Sequence, residues 1–398
     1  MRWRMLGWIC LAELGALSLW FSATAVVPAL HTAWMSTGAQ AWLSMAVTLG
    51  FVVGTIASAV LTLTDFVGAR RLFVLTAIGG ALVNLALLGV IESLPLVLAS
   101  RFLTGLAMAG TYPPAMKLAA SWFVTDRGLA VGSLVGALTV GGAVPHLINF
   151  ALGGLAWPPV IAGTSLAALG AAVVMARCVH DGPHIQARAP FNPACIGELC
   201  RSRGVVLASL GYFGHMWELY AMWAWIGLYL IEGFHAAGVP AAPRVGSLAT
   251  GAVFLAGALS CVLAGLVADR IGRTATTMLA MIGSGTCAAL IGLVFDRPAL
   301  LLAVALVWGF TVVADSAQFS ASVTELAPPA YVGTALSLQT SLGFLLTLVS
   351  TWLVPRAVEA WGWPWAFAFL APGPFLGTLA MWVLRRLPES AKLAHGRR

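Results

Sequence analysis

Stretches of about twenty consecutive apolar residues, separated by short polar breaks, recur along the whole 398-residue chain. A run of that length, wound as an α-helix, crosses the roughly 30 Å hydrocarbon core of a bilayer. Twelve such spans can be drawn, at 5–29, 40–63, 72–91, 95–122, 128–154, 158–177, 204–234, 247–268, 274–294, 299–323, 332–355 and 364–384. The composition is 60% hydrophobic and only 9% charged, too little polar surface to cover a water-soluble fold. The expected fold is therefore an all-α integral membrane protein with twelve transmembrane helices and no segment left for a soluble domain.

Arg2 and Arg4 ahead of the first run, with Ala23-Thr24-Ala25 after it, also fit a cleaved signal peptide. The run is longer than a signal core and carries Glu13, so a retained first helix is expected. Basic residues give the orientation. With the N-terminus inside, sixteen of the 21 Lys and Arg fall on the cytoplasmic side. Arg244, Arg297 and Arg356 fall on the other side, while Arg101 and Lys117 lie within the fourth span. That asymmetry predicts cytoplasmic termini in the inner membrane. The net charge of +7 is thus a topological signal, and its scatter over separate loops gives no footprint for nucleic acid.

The chain also repeats itself. LTDFVGARR follows the second span and LVADRIGRT the eighth, with Asp65 and Asp269, and Gly68 and Gly272, at matching positions. Sliding the sequence by 205 residues superposes Glu13 on Glu218, Trp20 on Trp225 and Gly128 on Gly333, which places six spans in each copy. The expected division is a six-helix half at 1–177, a cytoplasmic linker at 178–203 and a second six-helix half at 204–398 with a short tail.

Gly265-Leu-Val-Ala-Asp269-Arg270-Ile-Gly272-Arg273 resembles the inner-loop signature of the major facilitator superfamily of secondary transporters. The first-half copy keeps Asp65, Gly68, Arg70 and Arg71 but has Leu61 and Phe66 where the signature has glycine and a basic residue. Arg101-Phe-Leu-Thr-Gly105 is similar to a second motif of the family, and Pro388-Glu389-Ser390 to a third that more often follows the sixth helix. The resemblance implies two pseudo-symmetric bundles around a central cavity walled by helices 1, 4, 7 and 10, with 3, 6, 9 and 12 facing lipid. In physical terms the signature loops read as gates: glycine permits close contact, aspartate can cap an opposing helix N-terminus, and arginines hold the loop at the inner leaflet.

Ionisable groups are costly at bilayer depth, so each needs a partner, a cavity or a function. Glu13 lies in span 1, Arg101 and Lys117 in span 4, His215 and Glu218 in span 7, and Asp315 in span 10. His215 and Glu218 are three residues apart on one helical face continued by Met222 and Trp225, and the cavity wall is the expected destination of that face. Desolvation favours the proton-bound form of a carboxylate, and a nearby histidine can relay the proton. Glu218 is therefore the candidate coupling group, against a fixed pair that only holds helix 7 in place. Glu13, with Trp20 on its face, is either the half-equivalent coupling carboxylate or the neutraliser of Lys117.

Span 4 also holds Tyr112, Pro113 and Pro114, and the prolines predict a kink. Arg101 has a structural or relay role there or snorkels outwards, and Lys117 holds an anion or pairs with Glu13 or Asp315. Span 10 presents Asp315, Gln318, Ser322 and Glu325 as a polar stripe, the first two deep enough for the cavity. His146 and Asn149 on span 5, and Gln339 and Thr340 on span 11, are weaker candidates.

Cys178, His180, His184, Cys195 and Cys200 have spacings that zinc sites use, but they lie in a linker with prolines and no small domain around them, so no metal is expected. No cofactor motif accompanies these residues either. The expected function is secondary active transport of a small organic solute by a monomer using alternating access and protons. The alternatives are multidrug-type efflux of amphipathic cations, a non-transporting sensor, and a membrane-embedded enzyme, the last weakened by the lack of a nucleophile or metal cluster. Glu13, Glu218 and Asp315 beside Trp20, Trp223 and Trp225 suit a cation, while Arg101, Lys117 and His146 suit a carboxylate. The reading leans slightly to organic anions.

Overall fold

The computed structural model describes residues 1–26, 37–123, 127–154, 157–184 and 193–397, and these are helical with no strand. Twelve long elements follow in order: α1 Arg2–Leu17, α2 Thr37–Val60, α3 Ala69–Val90, α4 Leu94–Trp122, α5 Arg127–Ala151, α6 Trp157–Cys178, α7 Arg203–Ala236, α8 Ala242–Ile271, α9 Arg273–Leu290, α10 Pro298–Leu326, α11 Val332–Trp365 and α12 Pro372–Arg386. Ten described helices are long and apolar enough to cross a bilayer. The other two spans are α1, whose helix has 16 residues, and α7, whose 34 residues are diluted by polar and aromatic groups.

The duplication is visible in the packing. In the first half α1 packs on α5 and α6, α2 on α4, and α3 on α4 and α6. Six helices later the same pairs recur: α7 on α11 and α12, α8 on α10, and α9 on α10 and α12. Between the halves α5 packs on α8, and its counterpart α11 packs on α2. Gly68 and Gly272, matched in the sequence, both have positive φ (87° and 95°) and both immediately precede a helix, α3 and α9. An L-residue is strained in that region, which accounts for glycine in both copies. Large apolar side chains such as Leu75, Leu166, Leu279 and Leu376, on α3, α6, α9 and α12, face outwards as lipid contacts.

Three spans depart from the expected uniform helices. Span 1 is not one helix to residue 29: α1 ends at Leu17 and the chain continues in turns to Val26, while 27–29 lie outside the described residues. In α4 the break falls between Met108 and Tyr112, just ahead of Pro113 and Pro114, as the prolines require. A matching break in α10, between Val312 and Ser316, has no proline and was not expected. At the other end of the chain, Pro355 does not stop α11, which continues until Gly362 adopts φ 76°, so α12 begins later than residue 364.

A central cavity and the groups behind its wall

The termini-proximal ends of the helices, where the linker also lies, form one end of the molecule. On that side of the midplane lies a cavity of about 610 Å³, the open space at its mouth included, walled by α4, α5, α7, α10 and α11. Its aromatic wall includes Tyr112, Tyr212, Tyr220, Trp223 and Phe344, and its hydroxyls come from Ser316, Ser320 and Thr340. No Asp, Glu, Lys, Arg or His is among the described residues lining it.

An aromatic barrier closes the cavity on the far side. Trp20, in the turns after α1, lies 5.1 Å from Phe51, 5.5 Å from Tyr220 and 5.9 Å from Phe344, ring centre to ring centre. Phe51 and Phe344 are 4.7 Å apart, and Phe21 reaches Trp223 and Phe254 at 5.7 and 5.2 Å. The rings come from both halves, so the barrier bridges them. Trp20 was legible in the sequence; Phe21, Phe51, Tyr220, Phe254 and Phe344 were not distinguished from ordinary apolar residues.

The titratable groups stand behind this wall, which corrects the expectation that His215 and Glu218 point into the cavity. Glu218 is fully enclosed in the second half, where Trp308 Nε1 donates to its Oε1 and Ser284 Oγ to its Oε2, each at 2.7 Å. His215 turns instead to α10, with Nδ1 2.9 Å from Asp315 Oδ1. Asp315 immediately precedes the second half of α10, where a helix N-terminus favours a carboxylate, and it lies within electrostatic reach of Glu218. Gln318 is also drawn off the cavity: Arg273 Nη1 donates to its Oε1 at 2.7 Å. Trp308 and Ser284 are the functional neighbours that the sequence reading missed.

Glu13 is buried, and neither carboxylate oxygen has a hydrogen-bond partner among the described residues, so it does not neutralise Lys117. At the 204-residue offset that matches Gly68 to Gly272, Ser284 and Trp308 correspond to Gly80 and Thr104, and the Thr104 hydroxyl donates within its own helix to Ser100 O. Tyr112, on the α4 of the same half, lines the cavity.

Arg101 does not snorkel; it is wholly buried. Its guanidinium donates to Leu19 O, Trp20 O, Ser22 Oγ and Asn84 Oδ1 at 2.5–3.4 Å. Two of these acceptors are carbonyls just past the end of α1, where a cation complements the helix dipole. Asn84 extends the network to Thr164 and Ser165 on α6. Arg101 thus positions the turn that carries Trp20. Lys117 is half-buried and does not line the cavity.

At the linker end the signature loop joins the halves. The Asp269 carboxylate lies against Gly128 in the first turn of α5, where an added Cβ would come within 3.4 Å of it. A Cβ on Gly265 would meet Gly128 O at 3.2 Å. Arg273 gathers Asp269 (3.7 Å), Glu325 (2.9 Å) and Gln318, while Arg397 from the tail donates to Asp269 O. Arg70 donates to Val179 O at 3.2 Å, tying the first copy to the linker. Arg71 and Arg270 are exposed, and the Asp65 side chain lies outside the described residues. His146 and Trp225 line a separate pocket beyond the aromatic barrier. No group of three His, Cys, Asp or Glu suited to a metal occurs among the described residues.

The comparisons with known proteins fit this architecture. A D-xylose-proton symporter structure aligns over 96% of this chain and 98% of its own, with a TM-score of 0.73 and 17% identity. A nucleoside transporter structure aligns over 96% and 99%, with a TM-score of 0.73 and 13% identity. In sequence, a glycine betaine/proline/ectoine/pipecolic acid transporter of Dickeya dadantii (strain 3937) is 28% identical over 207 residues, 47% of this chain but only 40% of that relative's length. The family profile itself matches residues 9–245 and 208–398. With both halves matched and the twelve-helix fold in place, the chain belongs to the Major Facilitator Superfamily, a multi-pass membrane transporter family.

Proposed function

We propose that this transporter moves a small polar organic solute without net negative charge by alternating access, coupled to protons through Glu218. The observation that carries the reading is the cavity between duplicated halves, with Glu218 held by two neutral donors behind its wall. A carboxylate so enclosed alternates between charged and neutral forms at a cost that its donors moderate, which is what coupling requires. The His215–Asp315 pair at the α10 break is the natural relay toward the linker end. The positive-inside asymmetry supports cytoplasmic termini and linker in an inner membrane.

The lean toward organic anions gains no support, since neither Arg101 nor Lys117 lines the cavity. Tyrosine and tryptophan faces with hydroxyls suit a zwitterion with a quaternary or secondary ammonium, or a neutral polar solute. The transporters of betaines, xylose and nucleosides among the relatives carry solutes of these kinds. Efflux of amphipathic cations is the second reading, favoured by the same aromatic wall. The test is flux into proteoliposomes with and without an imposed pH gradient. Accumulation of a zwitterionic or neutral solute that requires the gradient supports the proposal, and gradient-driven accumulation of benzoate alone refutes its substrate class.

A further inference from the structure

The central cavity is chemically two-sided. From α5 it receives only Val131, Val135 and Leu138, which share one face of that helix. Its side-chain oxygens come from the other helices: the phenols of Tyr112, Tyr212 and Tyr220 and the hydroxyls of Ser316, Ser320 and Thr340. Tyr212 is engaged with Thr340. The hydroxyls of Tyr112, Tyr220, Ser316 and Ser320 have no hydrogen-bond partner among the described residues, and these four side chains line open space, half-buried rather than sealed. Ser322, which faces protein on the same helix as the two serines, instead returns its hydroxyl to Gln318 O at 2.8 Å. Donors that are both free and reachable are left for a solute to satisfy.

The two free phenols come from opposite halves, Tyr112 from the start of the second segment of α4 and Tyr220 from α7, and they lie within electrostatic reach of each other. Each hydroxyl donates one hydrogen bond, and an ionised carboxylate offers roughly four acceptor positions, so a single carboxylate suits this set. Such bonds are charge-assisted and stronger than those to a neutral oxygen. With no Asp, Glu, Lys or Arg among the described lining residues, the positive charge that balances the carboxylate has to be carried by the solute itself. The rings of Tyr220, Trp223 and Phe344 supply π faces for an ammonium. The aliphatic face of α5 decides against a polyhydroxylated solute, because a hydroxyl turned towards it loses water and gains no partner. N-alkyl groups or a saturated ring lie there without that cost.

We infer that the cavity selects an N-alkylated amino-acid zwitterion, its carboxylate held between the Tyr112 and Tyr220 hydroxyls and its alkyl groups against α5. This rests on the reading of the cavity as the transport site. The test is calorimetric titration and thermal unfolding of the full-length protein in detergent with glycine betaine and L-proline. Choline, which keeps the trimethylammonium head and lacks the carboxylate, and D-xylose are the counterparts. Wild type is compared with Tyr112→Phe and Tyr220→Phe, which keep the rings and remove the hydroxyls. Because neither hydroxyl bonds to a described protein group, the solute-free melting temperature should stay at the wild-type value. The expected result is saturable binding of at least one zwitterion, which raises the melting temperature and is weakened about tenfold by each substitution, the scale of one lost hydrogen bond to a charged group. Failure of both zwitterions to bind, choline binding as tightly as glycine betaine, or binding indifferent to both substitutions overturns the inference. Uptake into proteoliposomes is read separately. Substitution-sensitive binding of a zwitterion without gradient-driven uptake removes proton-coupled transport and leaves the assignment, whereas gradient-driven uptake of D-xylose alone keeps transport and overturns the assignment.

Discussion

Trp308 and Glu218 meet inside the second half of the molecule, the indole N–H of one donating to Oε1 of the other at 2.7 Å. Because the indole can only donate and Ser284 Oγ can reverse its role, a glutamine at 218 would still be satisfied on both sides. Glu218→Gln is therefore expected to fold with a melting temperature near that of the wild type and to keep solute counterflow. It should lose accumulation driven by a pH gradient. Glu218→Ala leaves both donors buried and unpaired and should lose roughly 2–3 kcal/mol of stability. Gradient-driven accumulation by Glu218→Gln equal to wild type would remove this residue from coupling.

Arg101 holds four acceptors, three from the turns after α1 and one from α3. Lysine is a point charge on a flexible stem and cannot span them as a planar guanidinium does. Arg101→Lys should lower folded yield and melting temperature, and Arg101→Ala should cost roughly 3 kcal/mol or more, since it strands the acceptors that the cation had satisfied. A purely relay function would instead leave the melting temperature unchanged and alter only the pH profile of flux.

The twelve-span architecture and the duplication were legible because each rests on many residues at once: spans on long apolar runs, the repeat on Asp65, Gly68, Asp269 and Gly272. The locations of Glu218 and His215 were half legible. Their spacing placed them on one face of α7, but which neighbour that face meets depends on the rotation of α7 against α9 and α10, which periodicity within one helix does not contain. Trp308 and Ser284 looked like ordinary members of apolar spans, and only tertiary packing makes them donors. For Arg101 a structural or relay role and outward snorkelling both stayed open, because two of its four acceptors are backbone carbonyls, which carry no mark in the sequence.

Gly105, four residues after Arg101, lets α4 cross α2 at backbone distance: a Cβ there would overlap Val47 O, and one on Gly50 would overlap Phe102 O. Backbone cannot yield as a side chain tip can, so Gly105→Ala should destabilise by about 2 kcal/mol or more in a thermal or denaturant melt. Gly79→Ala is the control, because a Cβ at that helical position meets nothing within 4 Å. It should be neutral or stabilising by up to about 1 kcal/mol. Equal effects of the two substitutions would show that α2 and α4 do not make this contact in the folded protein.

Trp20 and Phe344 come from opposite halves and meet at 5.9 Å in the layer that separates the two pockets. If that layer is the closed gate, truncating either ring opens a passage without touching Glu218 or its donors. Trp20→Ala and Phe344→Ala should each raise proton leak into solute-free proteoliposomes, read with an entrapped pH-sensitive dye. Each should also lower the steady-state accumulation that a gradient sustains. Loss of a buried aromatic ring costs about 3–5 kcal/mol, so leak must be normalised to folded protein recovered from the liposomes. Phe367→Ala supplies the contrast, as that ring is equally buried but packs on Tyr229 and Trp308 away from the barrier. Leak rising in Trp20→Ala and Phe344→Ala but not in Phe367→Ala places the gate at this layer, and equal leak in all three reduces the effect to general loosening of the fold.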